Sequence, residues 1–248
     1  MTDLATLPTT RDEDWRYADA AALEASDADT LTGWTEITVP AGESRAETRD
    51  VDGVERLRVR IAKGGRFELS AVNAASGYGR LECEVTLEDG AHFEFGGVTI
   101  GGGSVTREFV TRCIHAEPNA TSNQVVRTVH WGKATGNFLG RIEVVRDAQK
   151  TDAAQNFRAL LLEKGATANT KPELEIFADD VKCAHGAAIG ALDQTAGFYM
   201  AARGIPPEVA RKLQVQAFIA DAFENVADEA LGARLLERAL SVLQGAQL

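Results

Sequence analysis

The 248-residue sequence predicts a mainly β protein that ends in a helical domain. Apolar and polar residues alternate with a period of two from about residue 35 to residue 182, a pattern typical of strands with one buried face. From Leu192 the apolar period changes to 3.6 residues, which is the period of an amphipathic helix. We therefore divide the chain into a short N-terminal helical segment (1–30), a β domain (31–190) and a C-terminal helical domain (191–248).

The first elements follow from local composition. An alanine-rich, charged stretch predicts one short helix from about Trp15 to Leu23. Alternation then predicts strands in VERLRVRI, RFELSAV and LECEVTL, separated by glycine and asparagine turn signals such as Gly64-Gly65, Asp89-Gly90 and Pro118-Asn119. Further strands are expected at 105–113, 124–131, 138–145, 157–163 and 173–181. This spacing allows a sandwich, a barrel or a stacked β-solenoid, and the pattern does not choose among them.

Three helices are predicted after the strands. Asp193 is placed to cap the first, which would run to Arg203 and end at Gly204. Pro206-Pro207 begin the second, and Asp228 caps the third. Leu213 lies on the apolar stripe of the second helix, and Phe218 and Phe223 widen it. So broad an apolar surface must pack on the β domain or on a partner.

Composition excludes several classes of function. The 37 acidic side chains outnumber the 26 basic ones and give a net charge of −11, which argues against binding of nucleic acid or of an anionic membrane surface. There is no apolar run of membrane-spanning length, and the first residues do not resemble a signal peptide, so we expect a cytoplasmic protein. Neither GxxxxGK[ST] nor GxSxG occurs, and we expect no enzymatic activity.

The densest group of reactive side chains lies in residues 170–193. Cys183 and His185 are two positions apart, so in an extended segment both point to one face and could bind one metal ion or one cluster edge. A buried cysteine beside a hydrogen-bonded histidine is the alternative interpretation. Cys83 and Cys113 fit small buried hydrophobic residues, and His92, His115 and His130 fit structural histidines; these five residues are expected to carry no chemistry.

Acidic residues in the same stretch suggest a different class, a carbohydrate-active β-solenoid enzyme with paired carboxylates. Asp179 and Asp180 are adjacent, so on a strand they point to opposite faces and form no pair. Glu173 and Glu175 do share a face, but beside Leu174 and Ile176 they fit an ordinary solvated side of a strand. The enzyme remains the alternative hypothesis.

Several longer motifs resemble one known family. They are TSNQ (121–124), GNFLG (136–140), DAQKTDAAQ (147–155), TKPELEIFADDVKCAHGA (170–187) and FYMAARGIP (198–206). Together they are similar to the SufB/SufD family, the scaffold subunits of the SUF iron–sulfur cluster assembly system. The CxHG signature at 183–186 is the D-type form. B-type subunits carry a cysteine just before the TKPELEI segment, where this chain has Ala166, so the resemblance is to SufD.

The resemblance implies a right-handed parallel β-helix followed by C-terminal helices, and a non-catalytic scaffold. It implies SufB as a partner through the β-helix and the ATPase SufC as a partner through the C-terminal helices, where Leu213, Phe218 and Phe223 lie. It also implies an iron–sulfur cluster that forms transiently at the interface with SufB, with His185 and neighbouring Cys183 as candidate ligands. The isolated chain is expected to hold no stable cluster, and both a homodimer and a monomer are compatible with the sequence when SufB is absent.

Overall fold

Twelve β-strands, all paired in parallel, dominate the computed structural model, which describes residues 7–245. In chain order the strands are β1 (Thr35–Val39), β2 (Ser44–Val51), β3 (Val54–Ile61), β4 (Arg66–Asn73), β5 (Gly79–Leu87), β6 (His92–Gly101), β7 (Thr106–His115), β8 (Thr121–His130), β9 (Thr135–Val144), β10 (Asp152–Leu161), β11 (Thr167–Ile176) and β12 (Lys182–Gly190). Odd-numbered strands form one six-stranded sheet, here sheet A, and even-numbered strands form the other, sheet B.

The chain therefore alternates between the two sheets and winds as a parallel β-helix. Thr35 is level with Leu57, 22 positions further on, and Thr135 is level with Thr167, 32 positions further on, so the turns lengthen along the chain. Of the architectures that the strand spacing allowed, the solenoid is the one formed, and the mainly β prediction is confirmed.

Apolar side chains fill the interior between the two sheets. Phe67 and Phe93 stack with their ring centroids 6.2 Å apart, Phe93 stacks on Phe95 at 6.4 Å, and Phe95 meets Phe109 edge to face at 5.4 Å. Aromatic rings at these distances and angles contribute beyond the area that they bury. The predicted inward positions of β3 and β5, such as Leu57 and Val85, are buried in this interior.

Stacked corner turns join sheet A to sheet B. The turn positions Gly64, Gly90, Asn119 and Lys150 all have φ between 63° and 67°, in the left-handed region. Each of their N–H groups donates to a carbonyl of the next turn, as from Gly64 to Asp89 (2.9 Å). Glycine and asparagine are favoured in this region, and the turn signals predicted at Gly64, Gly90 and Asn119 are confirmed. A turn was also expected at Gly136-Asn137, but both residues lie inside β9.

Sequence patterning missed four strands: β1, β2, β6 and β12. The strand β6 is buried on both faces, because helices cover its outer side, so it lacks the alternation of a half-exposed strand. The single strand expected at 173–181 covers the end of β11 and the loop that follows it, and β12 begins only at Lys182. The N-terminal segment forms a 3-10 turn (Glu13–Trp15) and two short helices, α1 (Ala20–Ala25) and α2 (Ala28–Thr32), instead of one helix.

The C-terminal helices are α3 (Gln194–Ala201), α4 (Pro207–Ala220) and α5 (Glu229–Ser241), and the predicted caps are confirmed. The Asp193 carboxylate accepts from the N–H groups of Thr195 and Ala196, and Asp228 caps α5 in the same way. Helices α4 and α5 pack on the outer face of sheet B. Gly96 permits this close approach, since a Cβ there would lie 2.2 Å from the carbonyl oxygen of Ala222.

The N-terminal segment covers part of the outer face of sheet A. The Arg80 guanidinium lies 3.7 Å from the Trp15 ring centroid and donates to Glu108 (2.8 Å) and Glu82 (2.9 Å). Because Arg80 is fully buried, these ion pairs and the aromatic ring replace its hydration. Among the described residues, the helices are all too short or too polar to span a membrane.

Candidate functional site

Cys183 and His185 lie on β12, the last strand of sheet B. Within residues 7–245, β12 pairs only with β10, which leaves its other edge free. Cys183 is level with Ala153 and His185 with Gln155, and both of these partners are buried. Cys183 and His185 therefore share the inward face, at the place where the β-helix ends, on the second and fourth residues of the strand. We call this end, formed by β11 and β12, the open end.

The column of side chains beneath each of these two residues changes character toward the open end. Beneath His185, in register, lie Gln155, Gln124, Phe95 and Leu69; beneath Cys183 lie Ala153, Ser122, Phe93 and Phe67. These columns are thus aromatic and aliphatic in the first turns, and in the last ones they include the buried polar residues Ser122, Gln124 and Gln155 within an interior that stays largely apolar. His185 thus lies at the end of a column whose next two members are buried glutamines.

The two donors differ in accessibility. His185 is exposed and Cys183 is half-buried. Burial raises the pKa of the Cys183 thiol, and the nearby Asp152 carboxylate raises it further. The thiol is thus protonated at neutral pH, and binding of a cation would displace its proton. Within the described residues, no three His, Cys, Asp or Glu side chains are grouped closely enough to hold a metal ion.

The opposite end of the interior is built differently. On β2 the inward positions are Arg45, Glu47 and Arg49, and Glu47 forms ion pairs with both arginines. Inward-pointing charges of this kind discourage pairing at an edge strand. The open end instead presents the uncharged residues Cys183 and Ile189 and exposed apolar side chains. Within the described residues, the inward edge positions thus carry ion-paired charges at the β2 end, and at the open end they include a thiol and an isoleucine.

A second apolar surface lies on the hairpin of α3 and α4. Leu213, predicted from the helical stripe, is 45% exposed. Val209, on the same predicted stripe, is also exposed. Phe198 and Tyr199 of α3 are exposed too and were not predicted, because α3 has no buried side and so shows no periodic contrast. We call these four residues the hairpin surface.

The two predicted phenylalanines lie elsewhere. Phe218 is half-buried under the guanidinium of Arg127, which lies 5.9 Å from its ring centroid. Phe223 is only 6% exposed and packs beside Gly96 of sheet B. The expectation that Phe223 contacts a partner is therefore corrected: its ring belongs to the core between helices and sheet.

The other cysteines and two of the other histidines are structural, as expected. Cys83 and Cys113 are buried, and burial raises both thiol pKa values, that of Cys113 to about 12. Burial lowers the pKa of His115 to about 4 and that of His130 to about 3, so both imidazoles are neutral at pH 7. His92 is half-buried, and its Nδ1 lies 2.6 Å from the hydroxyl of Thr121.

Three of the four carboxylates of the alternative hypothesis are engaged in ion pairs. Glu173 and Glu175 flank Arg141 at 3.3 Å and 3.9 Å on the outer face of sheet A. Asp180 pairs with Lys150 at a corner turn. The structure thus brings Cys183 and His185 together on one face, and it leaves these acidic side chains on the outer surface.

Fold and site together define a parallel β-helix protein whose edge strand β12 carries a thiol and an imidazole. A family model described as SUF system FeS cluster assembly, SufBD core domain, matches residues 42–218. The chain therefore belongs to the SufB/SufD family of SUF-system proteins, and its similarity is to SufD in particular.

Named relatives agree with this assignment. The iron-sulfur cluster assembly protein SufD of Escherichia coli is 40% identical over 124 residues, which cover 50% of this chain and 29% of that protein. An iron-sulfur cluster assembly SufBD family protein of Synechocystis is 34% identical over 178 residues, 71% of this chain and 39% of the relative. SufD of Bacillus subtilis is 30% identical over 148 residues, 60% and 34% of the two chains. The chain thus matches well under half the length of these relatives.

Proposed function

We propose that this chain is a non-catalytic scaffold subunit on which an iron–sulfur cluster is assembled at the open end, with Cys183 and His185 as ligands. The observation that carries the proposal is the placement of these two residues side by side on the free edge strand of a β-helix. Thiolate and imidazole are both iron ligands in iron–sulfur proteins. The cluster is cargo here, built on the scaffold and then passed on.

The remaining ligands are proposed to come from SufB. Clusters are usually held by four protein ligands, and the open end contributes two. A cluster bridging two subunits would be labile without the partner, as a transient assembly site requires. The raised pKa of Cys183 fits the same requirement, because the protonated thiol binds iron weakly until further ligands and the cation favour the thiolate.

Pairing with SufB is proposed to use the free edge of β12. All of its residues except Cys183 and Gly186 are exposed, and an uncovered edge strand is a template for pairing with another chain. Exposed apolar side chains, Ile176, Phe177 and Ile189, flank the edge. The same edge would support a homodimer when SufB is absent.

Docking of the ATPase SufC is proposed to use the hairpin surface. Its four exposed apolar side chains lie on α3 and α4, and Phe198 is 78% exposed. Aromatic anchors of this kind dominate the energetics of protein interfaces. The partner would then hydrolyse ATP, and the resulting conformational change would be transmitted through α4 to sheet B.

A crossed co-purification experiment tests both surfaces. Ile189→Asp should abolish recovery of SufB with the tagged chain and leave recovery of SufC unchanged, whereas Leu213→Asp should do the reverse. Each variant is the control for the other, because both replace an exposed apolar residue by the same charge. Retention of both partners by both variants at unchanged melting temperature would contradict the two assigned surfaces.

A further inference from the structure

A ladder of hydrogen-bonded side chains crosses the outer face of sheet A and ends at its free edge. Its members are level with one another on β5, β7, β9 and β11: Arg80, Glu108, Asn137 and Asn169. Glu108 accepts from Nη1 of Arg80 (2.8 Å) and from Nδ2 of Asn137 (3.2 Å). Oδ1 of Asn137 in turn accepts from Nδ2 of Asn169 (2.9 Å). Within residues 7–245, β11 is the last strand of sheet A, so the ladder ends where a further strand could be added.

The direction of this ladder is fixed. Nδ2 of Asn137 donates to the carbonyl oxygen of Tyr17 (3.0 Å) as well as to Glu108, so reversal of the amide would place an oxygen against two acceptors. Asn137 must therefore present Oδ1 to Asn169, which donates with its Nδ2. The atom left over is Oδ1 of Asn169, which accepts no hydrogen bond within the described residues. Because amides stacked on successive strands donate to one side and accept from the other, this oxygen faces the free edge.

The backbone of the same edge is interrupted at Pro172. The N–H groups of Thr167 and Phe177 donate to the carbonyl oxygens of Ala134 and Val144, on the side of β9. Successive N–H groups of a strand point to opposite sides, so the even-numbered residues of β11 face the free edge. Pro172 has no N–H and leaves a gap in the middle of that row. Backbone pairing is therefore weakened at this edge, and the outward side chains gain weight in the choice of partner.

A second copy of this chain offers few donors to Asn169. On β12 the outward residues after Lys182 have side chains that cannot donate: Ala184, Gly186, Ala188 and Gly190. On β11 itself, Lys171 is already paired with Glu13 and Glu173. Self-association therefore gives the Asn169 oxygen a donor in few registers.

We propose that Asn169 selects the strand that docks on the free edge of β11. The favoured strand belongs to SufB and carries the side chain of an asparagine, glutamine, lysine or arginine level with Asn169 on the outer face. That donor completes the ladder, whereas an apolar or acidic side chain at the same level leaves Oδ1 unpaired or repelled. Glu175, whose side chain is 45% exposed and lies 3.9 Å from Arg141, extends the preference for donors along the strand. The inference rests on the proposed function, because it names the chemistry of the strand that SufB brings to the open end.

The affinity of two purified variants for SufB, measured by biolayer interferometry beside the melting temperature, tests this selection. Asn169→Leu removes the acceptor, so its dissociation constant should rise about tenfold, as for a buried donor left unpaired. Asn169→Asp keeps an acceptor toward the partner and should bind at least as tightly as the wild type. A purely structural role predicts that both variants weaken binding, since both lose the hydrogen bond to Asn137. Gln216→Leu, which removes an exposed amide on α4, is the control and should bind as the wild type does.

The inference is overturned if Asn169→Leu binds SufB as tightly as the wild type, or if Asn169→Asp loses affinity as Asn169→Leu does. If Asn169→Leu does not fold, Asn169→Ala removes the same acceptor and gives the same comparison. Ile189→Asp in the same assay separates this failure from failure of the proposed function. Lost binding by Ile189→Asp with unchanged binding by Asn169→Leu would refute the selection alone. Unchanged binding by Ile189→Asp, or no binding by the wild type, would refute the open end as the SufB surface and the selection with it.

Discussion

Arg127 of sheet B donates through Nε to the carboxylate of Asp221, 2.8 Å away and 94 residues further along the chain. The Arg127 side chain is almost completely buried, and it also donates to the carbonyls of Val126 and Asn156. A buried cation that is fully hydrogen-bonded holds its partner in one geometry. This pair therefore fixes the helical domain, and with it the hairpin surface, on the β-helix.

Replacing the acidic partner should loosen that attachment. Asp221→Asn leaves the buried Arg127 guanidinium without its counter-charge, and we expect a loss of about 1–3 kcal/mol in the free energy of unfolding. Urea denaturation followed by circular dichroism measures the loss. Glu224→Gln, at an exposed position nearby, is the control and should change little. Equal stabilities of the two variants would show that the pair does not anchor the domain.

Substitutions of Phe223 and Leu213 should distinguish a residue that stabilises the fold from one that lies on the exposed hairpin surface. Phe223→Ala removes a ring from the core between the helices and sheet B, and we expect a cost of about 3–5 kcal/mol. Leu213→Ala, on the exposed hairpin surface, should cost under about 0.5 kcal/mol. Chemical denaturation of the two variants gives both numbers. A larger loss for Leu213→Ala would mean that the exposed stripe supports the fold itself.

The three thiols should differ in reactivity. Cys83 and Cys113 are buried and Cys183 is half-buried, so iodoacetamide should modify one thiol per native chain and three in urea. Asp152→Asn should accelerate the native reaction, because removal of the nearby negative charge lowers the pKa of Cys183. Asp147→Asn, in an exposed turn, is the matched control. Mass spectrometry identifies the modified residue, and native labelling of Cys83 or Cys113 would contradict the buried placement.

Buried neutral histidines make the fold sensitive to acid. The folded pKa values of His115 (about 4) and His130 (about 3) lie below the ordinary value of 6.5, so between these limits the unfolded chain binds more protons. Their contribution to stability is complete above pH 6.5 and is lost as the pH falls, by about 1.4 kcal/mol per pH unit for each histidine. Urea titrations between pH 7 and pH 5 measure this slope. His130→Gln should flatten it by about half, and a flat wild-type profile would contradict the assignment.

Local pattern was sufficient for some features and not for others. The period-two alternation and the turn signals located most strands. The spacing of two residues placed Cys183 and His185 on one face, because the face of a strand residue depends only on spacing. The neighbours of His185 depend on register between strands about 30 residues apart, which no local pattern contains, so Gln155 was not found. The apolar stripe through Phe223 showed that the helix packs on something but not on what. Burial of that ring is set by the tertiary arrangement.

The most direct test is iron incorporation into the reconstituted SufB–SufC complex containing His185→Ala, measured beside its melting temperature. Because His185 is exposed on an edge strand, the substitution should cost under about 0.5 kcal/mol and leave the melting temperature unchanged. Iron and sulfide per complex should fall sharply, since one ligand of the nascent cluster is lost. Wild-type iron content in a stable His185→Ala complex would contradict the claim that the open end is the assembly site.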